Sequence, residues 1–441
     1  MLDVKFIESE IRDQFLMDDN NRPWIIGFSG GKDSTMLLQL VWNALKPIDP
    51  MFKNMRQIYV VCNNTLVENP KILEFTERTL NAIQIAAVKD GLNILVERTT
   101  PKLEDTFWLN LIGRGYPAPN SLFRWCTERL KINPTTKFIL EKINEAGEAI
   151  ILLGTRSDES SNRANSIKKH GIFGQRLRKH VLPNAFVYAP IKDVLTTEVW
   201  QYLLQNPPAW GGHNRELVTL YNNASGGDCP LVIDTTTPSC GNSRFGCWVC
   251  TVINKDKSMA GLIDNGEEWM SPLMEIRDYL VENRSNPEHR EAFRRTGQEG
   301  LGPYKPHIRA TILEKLLMAQ HEIQEEDPTI GLISHQELIA IQILWYRDGI
   351  IDHRVADIFN KIYNSNTLMM DKQEQQRQKE VDILQKICKD APEDIQLIGN
   401  LLELHKSKIL MRRKHGLSKE LEIRLENFIN NQQKQLEQTI Q

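Results

Sequence analysis

Four cysteines, Cys229, Cys240, Cys247 and Cys250, fall within 22 residues in the spacing C-x10-C-x6-C-x2-C, whereas Cys62, Cys126 and Cys388 are solitary. A C-x-x-C pair can wrap one corner of a metal or cluster, and two more distant thiolates can close the cage. Gly241 and Gly246 would let backbone amides reach the sulfurs, and Phe245 and Trp248 would shield them from water. The spacing is equally compatible with structural zinc and with a [4Fe–4S] cluster. A second constellation lies near the start: Trp24-Ile-Ile-Gly-Phe-Ser29-Gly30-Gly31-Lys32-Asp33-Ser34-Thr runs from an apolar stretch through a glycine turn into a helical pattern. The glycines allow close backbone approach to a ligand, and a helix beginning near Asp33 offers unpaired N–H groups to an anion. Ser29 and Ser34 add hydroxyls and Lys32 a point charge.

This loop fits neither the Walker pattern, because Asp33 follows Lys32, nor the dinucleotide pattern G-x-G-x-x-G. The string from Ser29 to Ser34 resembles the S-G-G-x-D-S loop of the PP-loop ATP pyrophosphatases. That resemblance implies a loop that holds the β- and γ-phosphates of ATP and leaves the α-phosphorus open to attack. Gly154-Thr-Arg156-Ser-Asp-Glu159-Ser160-Ser-Asn-Arg163 resembles the G-x-R-x-x-E-S-x-x-R element of the phosphoadenylyl-sulfate reductase branch. Arg124-Trp-Cys126-Thr-Glu-Arg129-Leu-Lys131-Ile-Asn-Pro134 resembles that branch's R-x-C-x-x-x-K-x-x-P element. Arg156 and Arg163 could bind phosphate oxygens in fork geometry; taken alone they read as a surface salt-bridge network. Cys126 taken alone reads as a buried small hydrophobe.

Further elements narrow the resemblance. Trp210-Gly-Gly-His213-Asn-Arg-Glu-Leu, Cys229-Pro-Leu and the stretch from Pro238 through Cys250 to Val252 are similar to the DndC family, as are Lys255-Asp-Lys-Ser-Met259 and Gly300-Leu-Gly-Pro-Tyr304. His213 stands where that pattern has an acidic residue. The resemblance covers roughly residues 24–349. It implies a sulfurtransferase of DNA phosphorothioation that cleaves ATP to AMP and pyrophosphate, within a restriction–modification system. It also implies a [4Fe–4S] cluster on Cys229, Cys240, Cys247 and Cys250, sulfur from a cysteine desulfurase, and DndD and DndE as partners. The catalytic residues would be Lys32, Asp33 and Arg156, with Mg²⁺ near Asp33. ATP would be bound by residues 29–34 with Gly154, Arg156, Glu159, Ser160 and Arg163.

The elements that must position these residues are legible in outline. Short apolar runs at 24–28, 58–62, 92–96, 149–153 and 185–188 alternate with helical patterns. Between the first two, Leu37, Leu40, Val41, Ala44 and Leu45 mark one helix face. This predicts an α/β fold with a mostly parallel sheet and ligands at the carboxyl ends of its strands. After residue 257 the strand signals stop and helical patterning takes over at 306–324, 334–346, 379–388 and much of 394–441. The expected organisation is a PP-loop domain over 1–225, a cysteine-rich cluster segment over 226–260 and an α-helical region over 261–441.

Composition bounds the reading further. Of 441 residues 41% are hydrophobic and 25% charged, which is globular and excludes a disordered chain. No apolar run reaches 18 residues, and Asp3, Glu8 and Glu10 interrupt the start, so a cytoplasmic protein is expected. The net charge of −3 means that contact with DNA must come from a local basic patch. The run from Ser160 to His180 holds Arg163, Lys168, Lys169, Arg176, Arg178 and Lys179 with no acidic residue, and suits a phosphate backbone or a solvated loop. A weaker basic patch spans His405 to Lys414. Three other readings compete with the DndC one. An adenylyl-sulfate or phosphoadenylyl-sulfate reductase would need a C-terminal Glu-Cys-Gly element, absent from the tail Gln-Leu-Glu-Gln-Thr-Ile-Gln. A tRNA thiolase would differ only in its acceptor. A zinc-stabilised nucleic-acid-binding module would be colourless and make no AMP.

Overall fold

The computed structural model describes residues 2–17, 21–159, 175–224, 246–350 and 353–365, with isolated positions between 379 and 429. Ser160, Arg163, Lys168, Lys169, Cys229, Cys240 and the patch at 405–414 lie outside them. The chain divides into two compact units. The first comprises residues 1–102 and 120–274, the second 103–119 and 275–441.

The first unit is built on a six-stranded sheet: β1 (Trp24–Gly27), β2 (Ile58–Asn63), β3 (Ile94–Thr99), β4 (Ala149–Leu152), β5 (Leu177–Lys179) and β6 (Ala185–Tyr188). The order is β3-β2-β1-β4-β6-β5, parallel throughout except for the antiparallel pair β5–β6. Side chains alternate between two buried layers, as a parallel sheet covered on both faces requires. Trp24, Ile26, Ile58, Val60, Ile150 and Leu152 enter one core, with helices α1 (Val4–Leu16) and α2 (Lys32–Leu45). Ile25, Val61, Ala149 and Ile151 enter a smaller core on the opposite face, with Ile139 and Ile143 of a helix at Asn133–Ala146. The α/β architecture thus follows the expectation.

Two strands differ from it. The third begins at Ile94, not at 92, because the Leu92 amide donates to Ala87 O at 2.9 Å and so belongs to the end of the preceding helix, Pro70–Lys89. The strand instead runs on through Glu97 and Arg98, charged residues tolerated on an edge strand. β5 was not foreseen: three residues carrying Arg178 and Lys179 hold too little apolar pattern to announce a strand.

In the second unit the helices Pro306–Glu326 and His335–Arg347 follow the sequence patterning closely. Ser334 caps the latter in a full capping box with Glu337. Residues 103–119, which come from between elements of the first unit, belong here. Two tryptophans tie them down: Trp108 Nε1 donates to Leu332 O at 2.9 Å, and Trp345 Nε1 to Ile112 O at 3.0 Å. Among the described residues no helix is long and apolar enough to cross a membrane.

Candidate active site

The glycine turn between β1 and α2 lies at the carboxyl ends of the parallel strands, where a ligand meets strand-end amides and a helix N-terminus together. Gly30 has φ +72°, and a Cβ there would stand 2.6 Å from Thr76 Oγ1, so both backbone and space demand glycine. Gly31 is the N-cap of α2 and has no side chain to close the first turn. The turn is stitched internally instead. The Ser29 amide donates to Ser34 Oγ at 3.2 Å, and the Ser34 hydroxyl donates to Gly31 O at 3.0 Å. The Lys32 amide reaches the Tyr221 hydroxyl at 3.4 Å, and the Lys32 ammonium lies 5.5 Å from the centre of the Tyr221 ring.

Gly154 follows β4 and abuts this turn. A Cβ on it would meet Asp33 O at 2.9 Å and Ser34 N at 3.2 Å, so the two loops touch backbone to backbone. Arg156 is buried and braces the contact. Its Nε donates to Asp33 Oδ1 at 2.6 Å, Nη1 to Val194 O at 3.0 Å and Nη2 to Thr196 Oγ1 at 3.1 Å. The fork foreseen for phosphate is therefore turned inward, onto protein acceptors. Asp33 is held from its other side by Lys32 Nζ, 3.0 Å from Oδ2, so each carboxylate oxygen already faces a cation. Burial works against ionisation of Asp158, but hydrogen bonds from the Thr196 hydroxyl and amide, with the Arg156 charge, hold its carboxyl below the usual range. Glu159 closes a 3-10 turn beginning at Ser157.

A cavity of about 300 Å³ opens beside the glycine turn, within the range of small-ligand sites. Gly27 and Ser29 line one wall, and Asn63, Glu68, Arg98 and Lys131 line others. The loop after β2 carries this wall onward to the cysteines. Cys247 forms an isolated antiparallel bridge with Glu68, the Trp248 amide donates to Val67 O at 3.0 Å, and Cys247 Sγ lies 3.4 Å from Thr65 Oγ1 and 3.9 Å from Glu68 Oε1. Lys131 Nζ is 3.8 Å from the same Glu68 oxygen. Burial pushes the Cys247 thiol up to about 12; Glu68 adds to this, and Lys131 and Thr65 oppose it. Burial also works against the charge of Lys131, yet Cys247, Glu68, Cys126 and Cys250 keep its pKa above the ordinary lysine value.

Cys247 and Cys250 share one turn, closed by the Cys250 amide on Cys247 O at 3.0 Å. That geometry suits a chelating pair of thiolates. Among the described residues no group of three or more His, Cys, Asp or Glu side chains is arranged to hold a metal ion. Cys229 and Cys240, the other two cysteines of the spacing, lie outside the described residues. Sequence reasoning passed over Thr65, Glu68, Thr76 and Tyr221, and gave Lys131 no role of its own. The rule that ligands gather at strand carboxyl ends, applied to β2 as it was to β1, would have pointed to residues 63–68.

Residues 23–253 match the model of the phosphoadenosine phosphosulfate reductase domain, more than half of the chain and the whole span from β1 to the cysteine turn. The chain belongs to this family. An uncharacterized protein of Methanocaldococcus jannaschii is 31% identical over 185 residues, which is 42% of this chain and 32% of that protein. The chain thus spans about a third of the length of the curated relative it matches. Among solved structures, the phosphoadenylyl-sulfate reductase of Candida auris in a phosphate complex is similar at 11% identity and a TM-score of 0.28, over 45% of this chain and 79% of that one. The U34-tRNA thiolase NcsA of Methanococcus maripaludis, with its [4Fe-4S] cluster, is similar at 15% and 0.29, over 64% and 78%. As a phosphoadenosine phosphosulfate reductase domain, residues 23–253 place the glycine turn, Gly154, Arg156, Cys126, Lys131 and both described cysteines of the C-x-x-C pair inside one family-wide unit.

Proposed function

We propose that this protein is an ATP pyrophosphatase coupled to sulfur transfer, acting on a DNA backbone phosphate. ATP adenylylates a non-bridging phosphate oxygen with release of pyrophosphate; sulfur then replaces that oxygen, which leaves with AMP. The observation that carries the reading is one cavity lined by Gly27, Phe28 and Ser29, which lead into the glycine turn, together with Glu68, which touches Cys247, and Lys131, which pairs with Glu68. The glycine turn and the turn carrying Cys247 and Cys250 thus lie at the same end of the sheet, which supports coupling nucleotide activation to sulfur chemistry.

The first-turn amides of α2 would face the β- and γ-phosphates, with Lys32 neutralising charge that develops on the leaving pyrophosphate. Mg²⁺ would arrive on the phosphates and meet Asp33, whose orientation Arg156 fixes. Gly154 sets how closely the β4 loop approaches those amides. Cys229, Cys240, Cys247 and Cys250 would hold the [4Fe–4S] cluster, which supplies sulfur and electron chemistry when bound. A cysteine desulfurase would supply the sulfur and DndD and DndE would be partners. Of the described basic residues in the run ending at His180, Arg176 is engaged by Glu10 at 2.6 Å, while Lys179 stands exposed on β5 as a candidate phosphate contact.

The test is product analysis with [α-³²P]ATP, then transfer of ³⁵S from cysteine through a desulfurase to DNA or to tRNA. AMP with sulfur in DNA is expected. ADP, or no cleavage, would overturn the pyrophosphatase; sulfur in tRNA alone would overturn the acceptor.

A further inference from the structure

The segment Trp-Gly-Gly-His-Asn-Arg-Glu-Leu at 210–217 takes no part in the proposed chemistry, yet the fold lays it beside the glycine turn. Trp210 packs edge-on against Phe28, ring centres 6.5 Å apart, and against Trp42 of α2 at 6.0 Å. Asn214 is buried, and its Nδ2 donates to Gln39 Oε1 of α2 at 3.0 Å and to Leu203 O at 2.9 Å. The helix Arg215–Ala224 starts from that anchor, with the Val218 amide on Asn214 O at 3.1 Å, and Glu216 pairs with Arg78 of the helix Pro70–Lys89. Leu217 and Tyr221, three and seven positions after Asn214, return over the face that Asn214 fixes, and both are buried. The Tyr221 ring stands edge-on to Trp200 of the helix Thr196–Gln205, ring centres 4.9 Å apart. Its hydroxyl accepts from the Lys32 amide at 3.4 Å, and a Cβ on Gly31 would stand 3.2 Å from it. The hydroxyls of the turn itself face inward: Ser29 and Ser34 lie 3.2 Å apart, and Ser34 donates to Gly31 O. Tyr221 therefore brings a hydroxyl from another helix to the first turn of α2, where the oxygen of an anion would lie.

We propose that Tyr221 is a polyphosphate-binding residue, whose hydroxyl, seated at the Lys32 amide, donates a hydrogen bond to the terminal phosphates of ATP held in the glycine turn. A hydroxyl accepts through its lone pairs and donates its one proton, so it can take the hydrogen bond of the amide and turn its own onto an anionic oxygen alongside. That second bond is charge-assisted, the stronger kind. The ring contributes separately: the Lys32 ammonium lies 5.5 Å from its centre, a cation–π distance that helps to keep the cation at the turn. Because the turn takes the β- and γ-phosphates in the proposed function, the hydroxyl distinguishes ATP and pyrophosphate from AMP, and it holds pyrophosphate as AMP forms.

This inference rests on the nucleotide reading of the glycine turn but on neither cleavage nor sulfur transfer, and its test keeps them apart. Binding is measured by isothermal titration calorimetry on the full chain with Mg²⁺ and three probes. These are α,β-methylene-ATP, which cannot be cut at the bond whose cleavage yields AMP, pyrophosphate, and AMP itself. Tyr221→Phe keeps the ring against Trp200 and removes one oxygen. Its affinity for the analogue and for pyrophosphate should fall roughly tenfold, as loss of one hydrogen bond to a charged group dictates, with the affinity for AMP unchanged. Tyr221→Leu, which removes ring and oxygen together, should show the same selective loss, so the result does not hang on one variant. Unchanged or tighter binding of the analogue and pyrophosphate by Tyr221→Phe overturns the proposal, since the hydroxyl would then be a filler or an obstacle. Equal weakening of all three probes overturns it as well, because the residue would then serve packing and not polyphosphate. If the unaltered chain binds the analogue and Tyr221→Phe loses it selectively while ATP gives no AMP, the pyrophosphatase falls and Tyr221 keeps its role. If the unaltered chain binds neither the analogue nor pyrophosphate, both fall together.

Discussion

Replacing Gly154 by alanine tests whether the contact between the β4 loop and α2 sets the phosphate site. The added Cβ would lie 2.9 Å from Asp33 O, 3.0 Å from Asp33 C and 3.2 Å from Ser34 N. Ordinary contact begins near 3.4 Å, so the first turn of α2 or the 154–156 loop must retreat by about 0.5 Å. All three obstacles are backbone atoms, which cannot swing aside as a side chain would. Overpacking of this kind costs about 1–3 kcal/mol. For a unit of this size that lowers Tm by about 2–12 °C. Under the proposed function the effect on turnover should exceed the effect on stability, because the atoms displaced are those that would face the nucleotide. A misplacement of about 1 Å costs about a hundredfold in rate, so AMP formation should fall by about tenfold or more. Gly147→Ala is the control: Gly147 has φ +84° with no atom within 4 Å of its would-be Cβ. Its cost is backbone strain alone, about 1–2 kcal/mol, and its turnover of ATP should be that of the unaltered chain. The assays are a thermal melt and release of AMP from [α-³²P]ATP on both variants. If Gly154→Ala cleaves ATP at the unaltered rate with an unchanged Tm, the two loops do not meet as described.

Three further outcomes are expected. Asp158 has a carboxyl held below its ordinary value of 3.8, so its contribution to stability is present above that value and is lost as pH falls through the lower folded value; Asp158→Asn should be less stable at pH 7 by denaturant titration, and the two proteins should converge in acid. Burial pushes the Cys62 thiol up to about 12 from 9.0, so stability from this residue is full below pH 9.0 and declines as pH rises toward 12; iodoacetamide at pH 8.5 should modify Cys62 only after unfolding, and prompt reaction in the folded chain would contradict its burial. Trp108→Phe keeps an aromatic ring in the buried site but is smaller and leaves Leu332 O without its indole donor, a loss of at least about 1–3 kcal/mol that a urea titration of the full chain should show.

What the sequence disclosed depended on how local the signal was. The Ser29–Ser34 turn was legible because the demands on it are local: a positive φ at Gly30, a bare N-cap at Gly31 and hydroxyls that close on their own turn. All five expected strands are present, the third shifted to Ile94–Thr99, because a sheet covered on both faces forces continuous apolar runs. The role of Arg156 was not legible. That arginine would pair with something could be read; that its partners would be Asp33, Val194 and Thr196, as far as 123 residues away, depends on which loops the sheet order brings together. The membership of 103–119 in the second unit escaped for the same reason, since Trp108 and Ile112 find partners more than 220 residues downstream.

The loop after β2 shows why a parallel sheet suits two chemistries that must meet. Residues 63–68 leave the sheet beside the glycine turn, so their position is set by the β1–β2 register, Gly27 opposite Val61. The Asn64 amide donates to Thr99 O at 2.9 Å, tying the loop to β3, while Asn63 holds the Cys126–Lys131 turn and Val67 and Glu68 hold the cysteine turn. The cysteine turn and the link to β3 are held by main-chain hydrogen bonds, which cannot adjust by rotamer change, whereas the turn carrying Lys131 hangs on the Asn63 side chain. Under the proposed function, an adenylylated intermediate would gain from such a frame, because sulfur delivered to the thiols would stand ready before the bond to pyrophosphate breaks, leaving water less time to arrive first.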